Sequence, residues 1–205
     1  MLVSRQKKLN RIYKEFAKEA RKYMHLVACK PGCADCCIDV GNIDTTTLEG
    51  LIILKYLKTL PSRQLKYFKE ILKKNAEEKI YSWRLRCPFL NEKSICSIYK
   101  IRPFSCRRLF SVQTCGETGP VIPRQLWEAG EKTLRKIYEL DEDGYCGHIS
   151  HILELLNNPS CYKKYVSGKL ASENIKNIIE KYNLIVIRET LRREKILANQ
   201  NFCSH

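Results

Sequence analysis

No apolar stretch near the start of this 205-residue chain is long enough for a signal-peptide core or a membrane span: Met1 to Ser4 runs straight into Arg5, Lys7 and Lys8. A cytoplasmic protein without a membrane span is the expectation. Internal repeats and low-complexity tails are missing as well, which excludes solenoid and linker-like architectures. Acidic residues are scarce, 22 against 37 Lys and Arg, so the formal charge is +15 and the pI about 9.4. Such a balance attracts acidic proteins and nucleic acid. Recognition motifs for DNA or RNA are lacking, and Tyr56, Tyr67, Phe68, Trp83 and Trp127 fall where core packing is expected. Because phosphate contacts need only Lys and Arg, a basic nucleic-acid-binding protein with a structural metal stays among the alternatives.

Cysteine is not scarce. The 11 cysteines are an odd number that cannot pair completely, and a reducing cytosol disfavours disulfides, which leaves metal binding or redox chemistry. Eight of them, Cys29, Cys33, Cys36, Cys37, Cys87, Cys96, Cys106 and Cys115, fall between residues 29 and 115, and Cys146, Cys161 and Cys203 are scattered beyond. Thiolates suit zinc, cuprous copper and iron-sulfur clusters, and Cys33-x2-Cys36 has a chelating spacing. A first group at 29–37 and a second at Cys87, Cys96 and Cys106 are expected to meet at one metal. The adjacent Cys36 and Cys37 diverge in any regular backbone, by about 100° in a helix, and so do not chelate one ion comfortably. One of them would bind metal while its neighbour binds a second metal, acts as a reactive thiol or packs in the core.

Apolar residues at intervals of three or four predict a helix over 4–28, and Thr46 with Glu49 forms a capping box opening a helix over 47–59. Further helices are predicted at 62–79, 124–140, 147–157, 172–182 and 184–198, punctuated by Pro61, Pro159 and Gly168. The runs CPFL and ICSIY, parted by Asn91–Ser94, predict a small β-hairpin at 87–99, and Pro103 with Gly116, Gly119, Pro120 and Pro123 a loop-rich zone. The fold class is therefore mainly α, with a cysteine-rich, loop-dominated metal-binding module. Residues 1–120 are expected to form that cysteine-cluster domain behind an amphipathic helix, and 121–205 a helical extension on the same core.

The run Cys29-Lys-Pro-Gly-Cys33-Ala-Asp-Cys36-Cys37, then Cys87-Pro-Phe-Leu, then Cys96-Ser-Ile-Tyr99-Lys-Ile-Arg102-Pro103-Phe-Ser-Cys106-Arg107, resembles the CxxCxxCC cysteine-cluster family, also called YkgJ-like. The likeness spans about residues 25–116, and the Ser111–Cys115 segment is similar to the Ser and Cys that often follow the family's RPxxCR motif. Three residues separate Cys29 from Cys33 where the family name implies two. The resemblance implies zinc or iron, including iron as a 4Fe-4S cluster, with the eight clustered cysteines as metal ligands. It also implies an alternative, a metal-dependent protein-modifying or redox enzyme, since the module is similar to part of flagellin lysine N-methylases. Arg102 and Arg107 beside Cys106 are the candidate cofactor-contacting cations. With Arg108 they would either offset thiolate charge or hold a substrate carboxylate or phosphate. His25 is a supplementary ligand candidate, and Cys146, His148, His151 and Cys161 a second, weaker grouping.

Overall fold

The computed structural model describes residues 2–30, 32–38, 43–82, 84–115, 119–168 and 175–202; Trp83, Gly116, Cys203 and the first residues of the helix predicted from 172 lie outside them. The amphipathic opening forms α1 (Leu2–Ala20), with Leu9, Phe16 and Ala20 buried and Lys7, Lys8, Lys14 and Lys18 exposed. A 3-10 turn, Arg21–Leu26, ends it before Val27, so the predicted helix is shortened at its C-terminal end. After α2 (Asp35–Ile38), the capping box starts α3 (Thr47–Leu57): Thr46 Oγ1 accepts from Glu49 N at 3.3 Å and Thr46 N donates to Glu49 Oε2 at 2.9 Å. Then come α4 (Ser62–Lys79), α5 (Phe104–Arg108) and α6 (Arg124–Leu140), each directly after a proline whose missing N–H costs nothing there. Next are α7 (Ile149–Asn157), α8 (Pro159–Val166), α9 (Lys176–Tyr182) and α10 (Ile187–Phe202). Pro159, expected as a break, is instead the first residue of α8, and Asn158 caps it by accepting from Ser160 N and Cys161 N.

Three strands the sequence did not announce, β1 (Asp44–Thr46), β2 (Tyr145–His148) and β3 (Ile185–Val186), form an antiparallel sheet in that order, with Asp44 opposite His148 and Tyr145 opposite Val186. Segments of two to four residues are too short to display alternation. The predicted hairpin at 87–99 is realised as one isolated bridge, Leu90 to Cys96, closed by a turn with Ser94 in the left-handed region at φ 56°.

Helix α7 lies against both α3 and α4, and together they bury Leu51, Ile53, Leu72, Ile152 and Leu156. The α3–α7 approach depends on Gly50, where a Cβ would stand 2.6 Å from Ile152 Cγ2. A second apolar cluster joins α1 to α6 through Leu9, Phe16, Phe104, Leu126 and Ile137. Between the two, Asp141 is fully buried and accepts from Leu48 N (2.7 Å) and Tyr165 Oη (2.6 Å), with Arg5 at 3.8 Å. Burial pushes its carboxyl up to about 7, against the pull of those donors and Arg5. The folded chain then keeps a proton that the unfolded chain releases at an ordinary carboxyl pKa near 4. Its stabilising contribution is therefore full below about pH 4 and shrinks as pH rises to about 7, by at most ~1.4 kcal/mol per pH unit. Urea titrations across pH 4–7 are expected to show this fall in the wild type and a flatter profile in Asp141→Asn; parallel profiles would refute it.

Candidate metal centre

The cysteines reach their places on three irregular segments. The first begins where Ala28 N donates to Ser111 O at 2.8 Å and turns at Gly32, whose φ of +89° suits glycine. It then enters α2, a single turn carrying Cys36 and Cys37. The second is the 87–98 loop, tied to the first by Cys87 N donating to Cys37 O at 2.8 Å and folded by Ser97 N donating to Phe89 O at 2.8 Å. The third comprises the 3-10 turn Tyr99–Ile101, Arg102, Pro103 and α5, which carries Cys106.

These segments enclose a cavity of about 180 Å³, and six of the predicted cysteines line it: Cys33, Cys36, Cys37, Cys87, Cys96 and Cys106. Ile43, Ile98 and Ile149 supply apolar wall and Arg102 the cation. The other two, Cys29 and Cys115, stand to one side at Ser111. The Cys29 sulfur accepts from Ser111 N at 3.4 Å, and buried Cys115 lies beside the Ser111 side chain. Cys115 also lies within electrostatic reach of Asp35, Cys29 and Cys36, so the two groups adjoin.

Adjacent Cys36 and Cys37 both face the cavity. Cys36 donates to Cys37 and Cys37 to Cys87, a chain of neutral thiols. The bond from Cys36 favours a Cys37 thiolate, but the bond to Cys87, burial and the neighbouring sulfurs outweigh it and push Cys37 up to about 12. Cys106 is likewise raised well above the usual thiol value, first by burial and then by Cys37, Cys36 and Cys96. Backbone hydrogen bonds oppose the rise at Cys36 and Cys96, and the Arg102 charge opposes it at Cys36, Cys96 and Cys106. The Arg102 guanidinium lies 3.9 Å from the Tyr99 ring centroid, and its buried Nε has no hydrogen-bond partner. Arg107 is committed to the loop: it donates to Arg102 O and Lys100 O, both at 2.9 Å, and its guanidinium lies over the Tyr13 ring at 4.5 Å. Arg108 pairs with Glu131 on α6 at 2.5 Å.

Soft anionic donors on three loops around one space are the donor set that zinc or iron takes. Residues 28–124 match the CxxCxxCC family, described as a putative zinc- or iron-chelating domain. The chain carries a CxxCxxCC domain. No curated protein and no solved structure matches it, so the comparisons point to neither an enzyme nor a nucleic-acid binder. Among the described residues, no helix is long and apolar enough to cross a membrane.

In the CxxCxxCC domain the thiols line a space wider than one ion needs at a metal–sulfur bond of about 2.3 Å. Among the described residues no three Cys, His, Asp or Glu side chains stand close enough together, as they are, to grip a single ion. His25 is exposed on its 3-10 turn and does not line the cavity. The second grouping is split: the His148 and His151 rings adjoin, 5.5 Å between centroids, while the two cysteines lie elsewhere. Cys161 is in the main core, Cys146 packs with Ile187 and Leu191 and accepts from Tyr138 Oη at 3.3 Å, and both ring nitrogens of His151 meet backbone carbonyls, Tyr182 O and Ala76 O.

Two supporting residues were only partly legible. Glu49, legible as half of a capping box, also accepts from Phe104 N (2.7 Å) at the start of α5 and from Tyr13 Oη (2.5 Å), and so sets the position of Cys106. Ser111, fully buried, accepts from Val121 N at 3.0 Å and donates to Gln113 O at 2.6 Å, fixing the loop that bears Cys115. Nothing in the spacing of the chain marks either of these long-range duties.

Proposed function

We propose that this protein chelates zinc or iron with its eight clustered cysteines in two adjoining groups. Cys36, Cys37, Cys87, Cys96 and Cys106 surround the cavity, Cys29 and Cys115 flank it, and Cys33 lies on the cavity wall beside them. The observation that carries this reading is the convergence of six thiols from three separate segments on one cavity. Although Cys36 and Cys37 do not point apart as the spacing led one to expect but face one cavity together, the cavity's breadth and its six thiols, against the four a closed single-ion site takes, favour a centre of more than one metal atom, each thiol of the pair serving a different atom. Iron in a 4Fe-4S cluster and paired zinc ions both satisfy that geometry. Arg102 offsets the charge the thiolates acquire when they give up their protons to metal, with its unpaired Nε–H available to a sulfur ligand.

Anaerobic purification with metal analysis, acid-labile sulfide assay and an absorption spectrum tests the reading. Brown protein with iron and sulfide identifies the cluster; colourless protein with stoichiometric zinc identifies zinc. Protein that holds less than about 0.1 metal per chain, both as purified and after reconstitution with either metal, would end the proposal. In single Cys36→Ser and Cys37→Ser variants the metal content is expected to fall unequally, because the two thiols serve different atoms. Identical losses would contradict that division.

A further inference from the structure

The 3-10 turn after α1 and the approach to α6 meet at Ser111, whose carbonyl accepts from Ala28 N at 2.8 Å and whose hydroxyl accepts from Val121 N at 3.0 Å. Tyr23 on the turn and Ile122 before α6 pack onto one apolar cluster, and their neighbours turn outward. Met24, Leu26, Val121 and Trp127 are each between 40% and 50% exposed. With Pro123 as the cap of α6, Ile122 and Trp127 hold the two positions that pack on one another at helix starts, which brings the indole to the Val121 segment. Apolar side chains exposed singly are ordinary, but four on two joined segments form a patch. None of them lines the thiol cavity.

Lys18, Arg21 and Met24 follow one another at intervals of three, the last two within the 3-10 turn, where residues three apart lie in line. A row of cations therefore runs into the patch, and Lys30 follows it along the chain; all three cations are exposed. The carboxylates nearby are taken. Glu15 pairs with Arg11 and Lys136, Glu19 with Lys22 at 2.7 Å and Glu128 with Arg124 at 2.8 Å, while Asp35 stands beside Cys33 on the thiol loop. Among the described residues no carboxylate pairs with Lys18, Arg21 or Lys30, so this end presents positive charge beside exposed apolar groups.

A second copy of the chain would bring these cations against one another, and nucleic acid offers no apolar phase to Met24, Leu26 and Val121. Anionic lipid accommodates both features, its phosphates the cations and its headgroup boundary the apolar groups, a depth that indole favours. We propose that this end of the molecule docks on an anionic lipid surface, with Met24, Leu26, Val121 and Trp127 entering the headgroup layer and Lys18, Arg21 and Lys30 meeting lipid phosphates. The proposal is independent of which metal the thiols hold.

Sedimentation of the full chain with vesicles of phosphatidylglycerol and phosphatidylcholine in equal parts, and with phosphatidylcholine alone, tests it. Saturable binding to the anionic vesicles is expected, falling steeply as salt rises from about 0.05 to about 0.5 M, with little binding to the neutral ones. Lys18→Ala and Arg21→Ala should each weaken it roughly fivefold, and Leu26→Ser combined with Trp127→Ala at least about tenfold. These side chains are exposed, so metal content and far-ultraviolet dichroism should be unchanged. The chain has two tryptophans, so the emission of Trp127 is read as the difference between wild type and Trp127→Phe, and it should move to the blue on binding. Absence of saturable binding to the anionic vesicles at about 0.05 M salt, bound protein without that blue shift, or undiminished binding in the Leu26→Ser, Trp127→Ala variant would each overturn the proposal. So would tighter binding to a short DNA duplex or to poly-L-glutamate, which carry charge without an apolar phase.

Discussion

Stripping metal from the reduced protein with a chelator is expected to unfold residues 28–38 and 87–115 while α3, α4 and α7 stay folded. The difference follows from what holds each part. The three helices bury Leu51, Ile53, Leu72, Ile152 and Leu156 against one another, an apolar contact that no metal contributes to. The thiol-bearing loops are anchored by Phe89, Ile98 and Phe104 in the two cores and by a few long-range hydrogen bonds, but their regular structure is only one isolated bridge, Leu90 to Cys96, a 3-10 turn and two very short helices. Under the proposed chelation, metal affinity is folding free energy for those loops. Losing roughly 5 kcal/mol of it from a chain of this length lowers the thermal midpoint by about 10–20 °C. Hydrogen exchange before and after chelation reads the regional effect. Unchanged protection in both loops would mean that metal does not hold them.

Glu49→Ala is expected to cost about 3–5 kcal/mol and to deplete the thiol site together with the fold. The side chain is buried and accepts from Thr46 N, Thr46 Oγ1, Phe104 N and Tyr13 Oη. Truncation strands three buried donors, each costing about 1–3 kcal/mol when unsatisfied, although water entering the gap recovers part of that. Glutamine does not rescue, because its amide would turn N–H groups toward N–H donors. Tyr13→Phe removes one donor and its need together, so it should cost about 1 kcal/mol and leave metal content unaltered. Metal per chain in Glu49→Ala should fall as well, since Phe104 N begins the helix that carries Cys106. Urea denaturation with metal analysis on the same samples checks both parts. A loss under about 1 kcal/mol with full metal content would show that α5 is held by other contacts.

The residues that could be read in advance share a property: their information is local. Apolar spacing and flanking prolines located Ser62–Lys79 and Arg124–Leu140 to the residue, and the Thr46–Glu49 box opened α3 where expected. Alternation needs more residues than β1, β2 and β3 possess, so the sheet could not be read. Asn158 caps α8 through residues two and three positions on, a local signal that Pro159 obscured.

The clustering of eight cysteines between residues 29 and 115, with the spacing and flanking residues of a CxxCxxCC domain, is a property of the letters alone, because soft thiolate chemistry belongs to the side chain wherever it is placed. Which thiols share a space is not. Six of them meet at one cavity and two stand beside Ser111 because Cys87 N bonds Cys37 O, Ala28 N bonds Ser111 O and Glu49 receives Phe104 N. Those contacts span tens of residues and exist only in the packed fold. The same packing decides that Arg102 faces the thiols while Arg107, five positions further along the chain, is spent on backbone carbonyls.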